Sequence, residues 1–399
     1  MNPRLRLWLV GALGLVLGVV MAFGIAEERY LLAGLLCVVI WWFAVEWAHG
    51  PLPDAWVMAA LLVGYLLGNR GFAQIFLLPN FPLLPAEAGL LVCTPMLIIR
   101  MAFRQVPGLP REGLNYAILL WMIVCTARLP LDFQRFGLIA VRDFATVYYA
   151  VFFFIAQALC RHELSRDLLR RALAFGYLLL PAVSLAFTFV PALFLTVLIW
   201  HGVPVIYHKS DLIATFLGAG FFYFWARRES GGSGWWLLQA AACLLICLSL
   251  GSPRAAMVGI AAVTFIWLLA RRFRLLGFQL GILAGVVAIG VPALYLLDED
   301  VRQSKGYSIY EHAVSIFDLE GTGVYLHAET GDPGGNNRFR LVWWRTVVDQ
   351  TLGQSPVFGL GFGADLAARF VAEYDQVGED FSTRSPHSVI MTAFGRTGA

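Results

Sequence analysis

RRFRLLGFQLGILAGVVAIGVPALYLLD, running from Arg271 to Asp298, decides what class of protein this is. From Leu275 to Leu297 it carries no charged side chain, and about 17–25 apolar residues suffice for a helix to cross a bilayer. Arginines crowd its start and a polar stretch begins at its end, which is how a span leaving the basic, cytoplasmic side reads. The composition generalises the point. Of 399 residues 59% are hydrophobic and 14% charged, with a mean hydropathy of +0.72, far from the balance of a soluble globular domain.

Similar runs recur along the chain, at Leu7–Ile25, Tyr30–Ala48, Ala55–Leu78, Pro85–Phe103, Asn115–Thr126, Phe144–Cys160 and Ala172–Pro191. They continue at Leu212–Ala226, Trp235–Leu250 and Ala255–Ala270, and an incomplete run starts at Ser388. The expected fold is therefore an all-α, polytopic helical membrane protein of about 12 spans. Residues 1–297 form the bundle of about 11 spans, 298–386 a single large, helical periplasmic loop, and 387–399 the start of a further span. MNPRLRLW has no small-residue cleavage site, so the first run reads as retained. The six cysteines lie in or beside apolar runs with no metal or disulfide spacing.

Basic residues orient the bundle. With the N-terminus inside, Arg4/Arg6, Arg100/Arg104/Arg111, Arg161/Arg166/Arg170/Arg171, Arg227/Arg228 and Arg271/Arg272/Arg274 fall on one side. This parity requires Ala172–Asp211 to be one crossing plus an irregular outer piece, which Pro181, Pro191 and Pro204 favour. Arg128, Arg135 and Arg142 break the pattern: they fall in an outer connection, either as part of an anion site or as an accident of a short loop.

The polar stretch Asp298–Pro386 is where extracytoplasmic chemistry should draw its residues. Within it Phe339, Val342, Trp343, Val347 and Val348 recur at helical spacing, predicting a helix over Asn337–Leu352. It is expected to lie along the membrane surface with Trp343 and Trp344 at headgroup depth. Gly363–Tyr374 reads as a second short helix opened by a glycine turn.

Three features meet on the outer side in this topology. Arg254 opens a span in LSLGSPRAAM, Arg338 and Arg340 open the surface helix in NNRFRLVWW, and His387 stands where the last segment re-enters the bilayer in SPHSVI. A guanidinium is planar, always charged and binds phosphate oxygens in bidentate fashion, while a histidine titrates near neutrality and can take a proton from an attacking hydroxyl. Plainer roles stand beside these: Arg254 snorkelling to the interface, Arg338 or Arg340 on a solvated face, His387 anchoring a helix. GLGFGAD, Gly359–Asp365, lacks the G-x-G-x-x-G spacing of a dinucleotide site. Metal and cofactor are not indicated: the seven histidines are scattered, and HAETGD around His327 is at best a loose oxygen-rich cluster.

The order SPRAA, NNRFRLVWW, SPVFGLGFGADL, RSPHSVIMTAFGRTG resembles the bacterial O-antigen ligase and O-antigen polymerase family of integral membrane proteins. Arg254 matches an arginine at the outer start of a late span, Arg340 and Trp343 an R-x-x-W helix, and Pro356, Gly359, Gly361 and Gly363 a P-x-x-G-x-G-x-G turn. His387 matches the histidine before the next span, with Ser388 where the family often has Asn. The match is concentrated in Gly251–Ala399. The resemblance implies metal-independent, inverting glycosyl transfer from an undecaprenyl-pyrophosphate-linked glycan to a hydroxyl of lipid A core, glycan or protein. It places the reaction at the periplasmic face of the bacterial inner membrane, with no cofactor and no nucleic-acid partner. Catalytic roles fall to His387, Arg340 and Arg254; substrate contacts to Arg338, Arg142, Lys209, Gly361 and Gly363. Family members usually have two spans after the histidine, so the chain is expected to be truncated.

Two other classes remain open at this stage. A lipid-linked glycan or polysaccharide flippase would need polar residues distributed through the spans, where Glu46 is one of few candidates. For an assembly subunit the outer arginines would be incidental.

Overall fold

A computed structural model describes residues 52–77, 83–102, 112–249, 254–294, 333–373, 384–386 and 388–398, with short pieces between 311 and 324. The expected spans Leu7–Ile25 and Tyr30–Ala48, and His387, lie outside the described residues. What is described is overwhelmingly helical, with one two-stranded sheet. Five of its helical stretches are long and apolar enough to cross a membrane: Pro53–Ala73, Pro85–Ala102, Gly113–Phe136, Leu138–Arg161 and Glu163–Phe189. Shorter apolar helices at Trp235–Cys247, Ala256–Leu269 and Phe273–Gly285 fall on three further runs. The chain divides into two compact units, Met1–Arg111 with Val151–Lys209, and Glu112–Ala150 with Ser210–Ala399.

In the first unit, α1 (Pro53–Ala73) starts with a proline at its first turn, where the missing N–H is no loss. It packs against α2 (Pro85–Ala102), and its partners approach closely through small residues. A Cβ at Gly89 would lie 2.5 Å from Leu61, and one at Gly176 2.7 Å from Leu66. Asp54, at the start of α1, and Arg100, near the end of α2, are both buried and bonded at 2.7 Å through Arg100 Nη1. A lone buried charge would cost several kcal/mol, so each residue needs the other.

The segment following Phe189 is irregular: a π-helical turn at Leu193–Val197 and an antiparallel pair, β1 (Ile199–Trp200) with β2 (Val203–Pro204). Pro181 is accommodated inside the Glu163–Phe189 helix, and the regular structure gives out only around Val190 and Pro191. The irregular piece docks where α1 is broken at Asn69, whose φ is 54°. There Tyr207 N–H donates to Gly68 O at 3.1 Å, and Gly71 N–H donates to Tyr207 O at 3.3 Å. His208 Nε2 lies 2.8 Å from Leu67 O.

In the second unit, α3 (Gly113–Phe136) ends at Gly137, which takes a φ of 63° and leads into α4 (Leu138–Asp143) and α5 (Ala145–Tyr148). This differs from the sequence expectation. Arg128 and Arg135 belong to α3 and Arg142 to α4, rather than to a connection, because the helix runs on past Thr126 through Pro130. In the first unit α6 (Val151–Arg161) and α7 (Glu163–Phe189) follow. The remaining elements are α8 (Ser210–Glu229), α9 (Trp235–Ser249), α10 (Arg254–Leu269), α11 (Phe273–Leu294), α12 (Pro333–Gln354), α13 (Ala368–Glu373) and α14 (Val389–Thr397). Helix α12 covers the predicted Asn337–Leu352 and α13 is shorter than the predicted Gly363–Tyr374.

Candidate active site

Helix α12 is held through its tryptophans. Trp343 is fully buried, stacks on Phe370 of α13 with centroids 5.2 Å apart, and donates its indole N–H to Leu366 O at 2.8 Å. Trp343 is a core residue, packed with Val347, Leu366 and Phe370, rather than one presented at the surface. An indole with its N–H satisfied inside protein gains full burial that an interfacial position would forgo. Its neighbour Trp344 turns to another partner and donates to Pro386 O at 2.8 Å.

Arg340 lies one helical turn before Trp344, so the two share a face of α12. Its Nε is buried and makes no hydrogen bond among the described residues. A buried donor without an acceptor costs about 1–3 kcal/mol, more when charged, so this guanidinium is poised for an anion. Arg338, two residues earlier, is exposed. Trp344 thus ties the Arg340 face to the residue that immediately precedes His387. On the other side of His387, Ser388 caps α14 by accepting the N–H of Met391 at 3.3 Å.

A further arginine, Arg384, enters from the same segment. It donates from Nη2 to Gly363 O at 2.6 Å, and its Nε lies 3.8 Å from an Asp365 carboxylate oxygen. Its Nη1 is buried and, like Arg340 Nε, makes no hydrogen bond among the described residues. Leu366 N–H donates to Arg384 O at 3.2 Å, anchoring the segment against the α12–α13 core. Sequence reasoning missed Arg384; its position three residues before His387 was the available signal.

The glycine turn between α12 and α13 is clamped on two sides. Leu360 N–H and Gly361 N–H donate to Gly395 O and Arg396 O of α14, at 2.7 and 3.2 Å. From α3, Asp132 accepts the N–H of Phe362 at 2.8 Å, and Arg128 donates to Gly359 O at 3.1 Å and Arg396 O at 3.3 Å. Gly361 has φ 104° and Gly363 φ 92°; a Cβ at either would come within 2.5 Å of Asp132 Oδ1 or of Phe136 Cβ. These buried glycines let two helices reach the turn, with Phe362 inserted among Cys125, Ala140, Phe144 and Val147. Beneath the turn a second buried ion pair joins Arg396 to Asp143 at 2.8 Å. Asp132 was also missed, though an acidic residue inside an apolar helical stretch is a signal in itself.

The other expected site residues are placed as follows. Arg254 is the first residue of α10; its side chain lies outside the described residues. Arg142 is largely exposed, 3.8 Å from Asp143. Lys209 belongs to the first unit, where its N–H donates to Asn69 Oδ1 at 3.4 Å. Between α3, α12 and the glycine turn opens a cavity of about 430 Å³, with Arg128, Arg135, Gln350 and Asp365 on its walls. Among the described residues no three His, Cys, Asp or Glu side chains converge as metal ligands would.

The arrangement is one suited to anions: Arg340 and Arg384 each keep a buried donor with no hydrogen bond among the described residues. No curated protein and no solved structure matches the chain. A family model described as O-Antigen ligase matches residues 239–399, the part that holds α12, the glycine turn and the 384–388 segment. Over that part the chain is similar to the O-antigen ligase family.

Proposed function

We propose that the protein transfers a glycan from an undecaprenyl-pyrophosphate carrier to an acceptor hydroxyl at the periplasmic face of the bacterial inner membrane, with the N-terminus in the cytoplasm. The observation that carries this reading is the buried Nε of Arg340, without a hydrogen bond among the described residues and one turn from the tryptophan that bonds Pro386, the residue before His387. Arg340 and Arg254 hold the pyrophosphate and stabilise the charge that develops on it as the glycosidic C–O bond breaks. The acceptor oxygen attacks the anomeric carbon from the opposite face while His387 takes its proton. One displacement inverts that carbon and releases polyprenyl pyrophosphate. Arg338, Arg142 and Lys209 are assigned contacts to the outer parts of the substrates, and Gly361 and Gly363 shape the turn beside them. No metal takes part in this scheme.

The test uses purified protein in liposomes with a radiolabelled lipid-pyrophosphate glycan, candidate acceptors, and a chelator in parallel. Chelator-insensitive transfer of label with release of lipid pyrophosphate is expected. Movement of the intact labelled lipid between leaflets without transfer would replace this scheme by a flippase.

A further inference from the structure

Away from the candidate active site, the turns that join α8 to α9 and α10 to α11 come together around a cavity of about 750 Å³. Both are flanked by basic residues: Arg228 near the end of α8, Arg271 and Arg272 in the second turn and Arg274 at the start of α11, against the single carboxylate of Glu229. The other walls are apolar, supplied by Trp225, Leu237 and Phe273. Trp225 is itself locked in place by Phe278 of α11, with centroids 5.0 Å apart, so the two hairpins form one wall.

The charges are not used up internally. Arg272 is committed to Glu229 at 2.5 Å, and Arg228 Nη1 donates to Gly232 O at 3.0 Å. Arg271 and Arg274 are exposed and have no carboxylate partner among the described residues. Arg271 also holds a φ of 58°, a left-handed conformation in which glycine would be unstrained.

The geometry points to a binding site for an anionic membrane lipid, whose phosphodiester sits between Arg271 and Arg274 and whose chains run over Trp225, Leu237 and Phe273. Guanidinium groups match phosphate oxygens in pairs, and the mixed basic and apolar walls suit an amphiphile better than a free ion. In the orientation proposed above this is the cytoplasmic end of the bundle, away from glycosyl transfer, so binding here serves stability or placement in the membrane.

The test takes the full chain in phosphatidylcholine nanodiscs and titrates a fluorescent phosphatidylglycerol. The pocket variant is Arg271→Gln with Arg274→Gln, and the control is Arg166→Gln with Arg170→Gln, which removes the same charge from α7. The pocket variant should weaken binding by about five-fold per arginine removed, the worth of a basic residue at an anionic surface, while the control binds as wild type. Glycerol phosphate in solution should not compete; equal competition would mean that the same anion site takes a soluble phosphate ester. Unchanged binding in the pocket variant, or an equal loss in the control, would overturn the proposal.

Discussion

Asp132 accepts the N–H of Phe362 at 2.8 Å across 230 positions of sequence, and through this bond α3 holds the glycine turn that leads toward the candidate site. The same carboxylate pairs with Arg128 at 3.0 Å, and Arg128 in turn donates to two carbonyls of the turn and of α14. A charge placed here is a fastener between distant segments, and its removal strands several partners at once.

Asp132→Ala should therefore destabilise the second unit by about 3–5 kcal/mol, the usual cost of leaving one partner of a buried pair alone. Asp132→Asn keeps an acceptor for the Phe362 amide and should lose less. Thermal unfolding of the purified variants in detergent measures both; equal, negligible losses would show that the clamp contributes nothing.

Gly361→Ala and Gly363→Ala should each lower stability by at least about 1–3 kcal/mol, from the positive φ and from the collision with Asp132 or Phe136. Gly353, in α12, has open space where its Cβ would go. Gly353→Ala should be neutral or stabilising by up to about 1 kcal/mol. Unfolding midpoints that rank the three variants otherwise would contradict the packing role assigned to the turn.

A pH signature follows from His208. Burial pushes its pKa down, while the hydrogen bond to Leu67 O opposes the shift. Folding therefore favours the neutral ring. The contribution is complete above the ordinary histidine value of about 6.5 and is lost as the pH falls through the depressed folded value. Wild type should lose stability on acidification through that window more steeply than His208→Gln, measured by unfolding midpoints across a pH series. Parallel curves would remove His208 from the account.

Much of the helical layout was legible because apolar length and helical spacing are local properties. The run over Asn337–Leu352 announced α12, and prolines 191 and 204 announced the irregular piece before α8. What faces what was less legible. Trp343 and Trp344 look alike in sequence, yet one is a core residue on Phe370 and the other reaches Pro386. The glycine turn could be read as a turn, but its reason, the close approach of Asp132 and Phe136, belongs to partners more than 200 positions away. Arg128 stands out in sequence as an arginine on the outer side, and its carboxylate partner Asp132 sits within α3 at i+4 spacing.

Arg384 should act with Arg340 on the same anion. Arg384→Gln is expected to raise the KM for the lipid-linked donor and lower turnover by about ten-fold or more, as loss of a charge-assisted contact does. Steady-state kinetics with varied donor check this, and Arg384→Lys should recover part of the loss. Donor kinetics indistinguishable from wild type would leave Arg384 as a tether for Gly363 alone.

The central claim is that the unspent buried donor of Arg340 holds the leaving pyrophosphate. The most direct measurement is label transfer from the lipid-pyrophosphate glycan by Arg340→Ala, beside wild type, in liposomes carrying equal amounts of folded protein. The account predicts that turnover falls by about a hundred-fold or more, the worth of a preorganised transition-state contact, with the variant still inserted in the membrane. Transfer at the wild-type rate would contradict it.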